Sequence, residues 1–326
     1  MAPLLPHARR TSRLLVLAAL VSSALLRHRP DGYAQQAVVL GALALGMPHG
    51  AADTELLRAA AHGSRPRHVL LASGYAALAA VSTVLVRRGG TGVDRAVLLA
   101  SAVHFGEGEL ACWRAAPAGA PRRRAALRLV AAAVTTVGLP AAVGTAGRRD
   151  PEVGVHGALE AGHESRGLPS RATGDRNGLA LLRDPGTRRT IAPLAALAVL
   201  SSAALAASRD AEAAGDTALL TALALLAQPS TAFAGYFGGW HALRHTARVV
   251  DALVADGELP AQSSLPAAVV ELGRRSAWAA GVGLVGAGAL AAADREHASD
   301  NAFAAVLGLT VPHMTTVALG LTRRGR

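Results

Sequence analysis

The sequence predicts an all-α protein, a polytopic integral membrane bundle with about eight to ten transmembrane helices. Three observations support this fold class. Hydrophobic residues make up 51% of the 326 residues, and the mean hydropathy is +0.32. The apolar residues gather into long separate runs, several of them close to the roughly 20 residues that a spanning helix needs. No run shows the alternation of a membrane β-strand, so helices are the remaining way to cross a bilayer.

Nine segments are candidate spans. They are residues 14–27, 33–48, 68–86, 95–113, 127–147, 191–208, 217–240, 276–293 and 303–321. The apolar run Leu14–Leu26 of the first segment follows three arginines and is followed by Arg27 without the small-residue exit of a cleaved signal peptide, so we interpret it as a span. We expect one membrane-embedded domain over residues 1–326, in which 148–189 forms a flexible extramembrane loop. Residues 246–275 are amphipathic, and we expect them to lie along the membrane interface.

The chain is strongly basic, with a net charge of +11, and all 33 basic residues are arginines. The arginines cluster beside apolar runs and do not form one face with stacking aromatic residues. Anchoring in anionic lipid headgroups explains this pattern better than nucleic-acid binding does, and it predicts a multi-pass protein of the cell membrane. The single cysteine, Cys112, excludes a disulfide framework and a metal site made of thiolates.

A histidine pair, His241 and His245, closes an apolar run that begins near Thr217. Residues four apart lie on one face of a helix, so both imidazoles could reach a single metal ion. Aromatic residues precede the pair and would form an apolar wall beside it. They are Phe233, Tyr236, Phe237 and Trp240. The alternative interpretation is a helix end at which His and Arg side chains lie in the membrane interface.

Three further histidines lie in apolar surroundings. His49 follows Pro48, which opens the helix. Asp53, four residues later, is placed to accept the second ring N–H of His49. The alternative is that His49 is a lone histidine at a helix end. His104 ends an aliphatic run with Glu107 one turn later, and an ionisable pair within a span is a candidate functional site. His313 follows another proline in the last span and is either a site residue or a histidine of the core.

Imidazole ligands without thiolates suit iron, zinc or copper, and an apolar cavity around them favours redox or oxygen chemistry on a lipophilic substrate. Two other classes stay open. A membrane haem- or metal-binding electron-transfer protein would use histidines from different helices, although two from one helix face cannot bind opposite sides of a haem. A carrier or scaffold would use them to bind a proton or a metal, but the charge pattern offers no continuous polar pathway.

Four short motifs follow one another over nearly the whole chain. They are Gly-Met-Pro-His-Gly-Ala-Ala-Asp at 46–53, His-Phe-Gly-Glu at 104–107, Trp-His-Ala-Leu-Arg-His at 240–245 and Pro-His at 312–313. In this order the motifs resemble those of the Brp/Blh-type β-carotene 15,15′-dioxygenases. The chain departs from that family at Glu109, where an Asp is expected, and in the length of its 148–189 loop.

The resemblance implies an integral membrane enzyme that uses ferrous iron and O₂ to split β-carotene at its central double bond into two retinal molecules. The family's iron-binding histidines correspond to His49, His104, His241 and His245. Asp53, Glu107 and His313 are expected beside the ligands, and Phe105, Phe233, Tyr236, Phe237 and Trp240 against the substrate. The lipid bilayer would deliver the substrate, and a rhodopsin that accepts retinal is the downstream partner that this product implies.

Overall fold

The computed structural model of the chain describes residues 3–26, 49–50, 52–88, 90–113, 122–139, 182, 185–262, 264–293 and 308–318. These residues are mostly helical, and no strand occurs among them. The all-α class is therefore confirmed for the described part of the chain. The predicted span 33–48 and most of the predicted loop 148–189 lie outside the described residues.

The helices follow the predicted spans in order, with shifted ends. In chain order they are α1 (Leu5–Leu26), α2 (Asp53–Ala60), α3 (Arg65–Arg88), α4 (Gly90–Trp113), α5 (Arg122–Ala133), α6 (Pro185–Ala207), α7 (Ala211–Leu226), α8 (Pro229–Ala234), α9 (Leu243–Ala255), α10 (Leu265–Ala293) and α11 (308–318). Two π-helical segments, Val134–Gly138 and Gly235–Ala242, directly follow α5 and α8.

Two helices of the described chain are long and apolar enough to cross a membrane, α3 and residues Arg188–Ala207 of α6. Both expose large aliphatic side chains, for example Leu70 on α3 and Leu200 on α6. Such surfaces are unfavourable in water and suited to lipid. Length and composition thus suggest association with a membrane, whereas the number of spans stays a prediction.

The chain divides into two compact units. Unit 1 comprises Met1–Arg9, Gly46–Ser101 and Ala242–Arg326, and unit 2 comprises Arg10–Leu45 and Ala102–His241. Helices α1 and α4 therefore contribute residues to both units.

The core of unit 1 is built mainly by α2, α9 and α10. Leu56 of α2, Val250 and Leu253 of α9 and Leu272 of α10 are almost completely buried in it, and Val317 of α11 joins them. The side chains of α9 repeat at intervals of three and four residues, which places them on one helix face. This face points into the protein core. The position of residues 246–275 relative to the membrane interface stays a prediction.

Unit 2 packs α1 against α7 and the second π segment. Val16 and Ala19 of α1 and Leu223 of α7 belong to one buried cluster with Tyr236 and Trp240. Two glycines allow this close approach. A Cβ atom on Gly235 would lie 3.1 Å from the Cβ atom of Ala19, and one on Gly239 would lie 3.1 Å from the Cβ atom of Leu15.

The predicted span 217–240 is wrong as a single helix. Helix α7 ends at Leu226, and the next helix begins at Pro229. Proline lacks an N–H group and disfavours helical backbone in the residue before it, and Gln228 is accordingly extended. The backbone N–H of Gln228 donates to the hydroxyl of Ser23 (2.9 Å), which satisfies this donor at the break.

Candidate metal centre

Three buried histidines of unit 1 lie side by side. His49 precedes α2, His245 lies on α9 and His313 lies on α11. The ring centre of His313 is 5.0 Å from that of His49 and 5.3 Å from that of His245, and the rings of His49 and His245 are 5.7 Å apart. Each pair meets edge to face. We call this group the unit 1 histidine cluster.

A buried carboxylate holds one member of this cluster. The Asp53 oxygens lie 2.9 and 3.0 Å from Nδ1 of His313. The hydroxyl of Tyr75 on α3 donates to Oδ2 of Asp53 at 2.8 Å. Burial raises the pKa of the Asp53 carboxyl, although His313 and Tyr75 act in the opposite direction. The expectation that Asp53 serves His49 is therefore corrected, because the described contact joins Asp53 to His313.

Two further histidines meet in unit 2. His104 on α4 and His241 in the π segment Gly235–Ala242 have ring centres 5.3 Å apart. The Phe105 ring lies 4.5 Å from that of His241 and 5.5 Å from that of Tyr236. Both histidines are buried. The histidines of unit 2 thus lie against aromatic rings, and we call this group the unit 2 cluster.

The carboxylate that the structure buries on α4 is Glu109. Its Oε1 atom accepts a 2.8 Å hydrogen bond from Nε1 of Trp240, and both side chains are buried. Glu107, which was expected beside the histidines, is exposed. Residues two positions apart on an α-helix lie about 200° apart around its axis, since each residue turns the helix by about 100°. Its position two residues before Glu109 therefore puts Glu107 on nearly the opposite face of α4.

Phe233 and Phe237 stack on each other. Their rings are 5.7 Å apart and almost parallel, at 6°. Phe233 is 47% exposed, whereas Tyr236 and Trp240 are buried. The predicted aromatic wall therefore has two parts, a buried part beside the histidines of unit 2 and a stacked pair that reaches the surface.

The donor set and the spacing both suit a metal ion. With metal–nitrogen bonds of about 2.1 Å, two imidazole centres bound to one ion lie roughly 4.5 to 5.5 Å apart for bond angles of about 90° to 120°. The separations within each cluster are close to this range. Of the described residues, three buried histidines offer ligand atoms for a metal: His49, His241 and His313. Neutral imidazole is a ligand of iron, zinc and copper alike.

Sequence reasoning missed Tyr75. Its partner Asp53 is 22 residues away and its position in an apolar helix resembles that of a lipid-facing tyrosine. The only available signal was that Tyr75 is the sole aromatic residue of the run 68–86. Tyrosine hydroxyls in apolar surroundings usually have a hydrogen-bond partner, so this lone tyrosine was a weak indication of a polar contact.

The fold and the two clusters define a helical protein whose buried imidazoles are suited to holding a metal beside aromatic rings. Residues 168–319 match the family model described as beta-carotene 15,15′-dioxygenase. The predicted resemblance is thereby confirmed over this segment, and the match indicates a function of the carotene dioxygenase type. It contains the motifs at 240–245 and 312–313, whereas those at 46–53 and 104–107 lie outside it. No curated protein and no solved structure has significant similarity to the chain.

Proposed function

We propose that this protein is an iron-dependent, membrane-embedded β-carotene 15,15′-dioxygenase that forms two retinal molecules from one β-carotene. The observation that carries the proposal is the burial of His241 and His245, four residues apart on one helical run, inside the segment 168–319 that matches the family. Ionisable side chains are rarely buried in an apolar chain unless they serve a site.

The proposed iron ligands are His49, His104, His241 and His245. Each is buried, and each lies within 5.7 Å, ring centre to ring centre, of another histidine of its own cluster. Ferrous iron bound there would supply the activation of O₂. The protein would hold the imidazoles in their neutral form, and a buried carboxylate would fix the orientation of one ring, as Asp53 does for His313.

The aromatic residues would orient the substrate. Phe105 and Tyr236 lie against His241, and Trp240 is fixed by its hydrogen bond to Glu109. A polyene has no polar group along its chain, so contact with flat apolar rings is the interaction available to position its central double bond. The partly exposed Phe233 and its stacked neighbour Phe237 would receive the polyene from the bilayer.

The proposed reaction balances without an external reductant. The central carbon–carbon double bond breaks, and each of its carbons takes one oxygen atom of O₂ to form an aldehyde. The chain would contribute a dry apolar site that keeps water from the reacting atoms. A lipophilic product fits the proposed location in the cell membrane, where a retinal-binding rhodopsin could take it up.

Expression in a bacterium that makes β-carotene tests the proposal. We expect loss of the carotenoid colour and formation of retinal, and about one iron per chain in the purified protein. His245→Ala should abolish retinal formation, whereas His7→Ala, at an exposed histidine of α1, should not. Stoichiometric zinc with full activity would refute the assignment of iron. Aldehydes of unequal length in place of retinal would refute central cleavage.

A further inference from the structure

We propose that His313 is a direct metal ligand and that Tyr75 is a positioning residue, which fixes His313 through Asp53. This inference rests on the proposed function, because it adds a ligand and its support to the same metal centre. It is carried by a chain of two hydrogen bonds that runs from α3 through the start of α2 to α11.

The contact with Asp53 determines which ring nitrogen of His313 would bind a metal. An imidazole has two nitrogens, and in its neutral form one donates while the other can accept or bind a metal. Nδ1 of His313 faces the carboxylate of Asp53 at 2.9 Å. With Nδ1–H donating to this carboxylate, Nε2 carries the lone pair. A carboxylate that orients a metal-bound histidine in this way is a recurrent feature of metal sites.

The position of the His313 ring agrees with a ligand role. The ring is buried and lies 5.0 and 5.3 Å from the rings of His49 and His245. Ligand atoms of His49 and His313 also lie within 4.8 Å of each other. Any buried histidine needs a hydrogen-bond partner, but one that only filled space in the core would not need two further imidazoles at this distance.

Tyr75 has the geometry of a support. Its hydroxyl donates to Oδ2 of Asp53 and so restrains the rotation of the carboxylate that holds His313. Helix α11 also packs closely on α3, since a Cβ atom on Gly308 would lie 2.8 Å from the backbone N and Cα atoms of Thr83. The helix that carries His313 is therefore fixed against the helix that carries Tyr75.

The test measures metal affinity and ligand number in the purified full chain with Co²⁺ as the probe. The visible absorption of Co²⁺ depends on how many ligands it has, and competition with a chelator gives the affinity. We expect His313→Ala to weaken Co²⁺ binding by more than about 100-fold, beyond the range for a residue that only orients a ligand, and to change the spectrum. Tyr75→Phe should weaken binding by about tenfold, within the range seen when a residue that orients a ligand is lost.

The controls separate a ligand from a residue that only supports folding. His68→Ala, on α3 like Tyr75, should keep wild-type affinity. Added imidazole should restore the spectrum of His313→Ala, which a merely destabilised variant would not do. Wild-type affinity and spectrum in His313→Ala would overturn the ligand assignment, and unchanged affinity in Tyr75→Phe would overturn the role of Tyr75.

The proposed function can fail separately. If wild-type protein binds Co²⁺ and the variants weaken it as expected while no retinal forms, the carotenoid reaction is refuted and the ligand assignment stands. If His245→Ala loses the metal and His313→Ala does not, only the ligand assignment fails. Absence of any metal binding in the wild type would overturn both.

Discussion

Replacing Trp240 by Phe separates stability from chemistry in the unit 2 cluster. The change removes the 2.8 Å hydrogen bond from Nε1 to the buried Glu109 carboxylate and leaves most of the aromatic volume in place. A hydrogen bond to a charged group contributes about 1.5 to 3 kcal/mol. The ratio of folded to unfolded protein should therefore fall by roughly 10- to 150-fold, since about 1.4 kcal/mol corresponds to a factor of ten.

A second tryptophan offers a matched control. Nε1 of Trp113 donates to Oδ2 of Asp216 at 3.1 Å, also in unit 2 and also buried. Trp113→Phe should also lower the free energy of unfolding, but by less, because Asp216 keeps its 2.7 Å ion pair with Arg13. Only Trp240 neighbours His241 in the chain, so only Trp240→Phe should also lower the retinal yield per folded molecule.

The assay compares both variants at equal amounts of folded protein. Unfolding in detergent, followed by circular dichroism, gives the change in stability, and chromatography of carotenoid extracts gives the retinal yield. Equal retinal yield per folded molecule in the two variants would refute the reasoning, because Trp240 would then contribute to stability alone.

Three further outcomes are expected. His241→Ala and His245→Ala should each abolish retinal formation, and the double variant should be no worse, because ligands of one centre act non-additively; normal turnover in either single variant would remove that residue from the ligand set. Phe237→Ala should lower turnover while iron stays bound, since it removes half of the aromatic stack; loss of iron, measured by metal analysis, would contradict this. Arg128→Ala should destabilise the fold by about 3 to 5 kcal/mol, because it leaves the buried Asp210 carboxylate without its 2.6 Å ion pair. Unfolding curves compare the stability of this variant with that of Arg10→Ala, at an exposed arginine. An equally small loss of stability in both variants would contradict the prediction.

Local patterns in the sequence predicted most of the helices. Apolar runs marked α3 and α4 within a few residues, because run length and hydropathy are properties of the segment itself. The break at Gln228 could also have been predicted, since a glutamine followed by proline inside an apolar run indicates a helix boundary. The apolar composition of residues 217–240 concealed this helix boundary, because small apolar residues lie on both sides of the break.

Contacts between distant residues could not be predicted. His313 and Asp53 are 260 positions apart, and no spacing rule connects them. The choice between Glu107 and Glu109 likewise depends on which face of α4 is covered, and this is decided by the helices that pack against it. The roles of the remaining site residues stay predictions.

The π segment Gly235–Ala242 changes how the 240–245 motif must be compared between relatives. In a π turn the hydrogen bond skips one residue more than in an α-helix, so the segment accommodates an extra residue while the helices before and after it keep their positions. Deleting one residue there would let α8 continue into α9 as a regular helix and would turn the preceding aromatic residues by about 100° relative to His245. A relative with one residue fewer could therefore keep every residue of the motif and still lose the aromatic wall beside its histidines. Chain length between Pro229 and His245 is thus as informative about function as the identity of the residues.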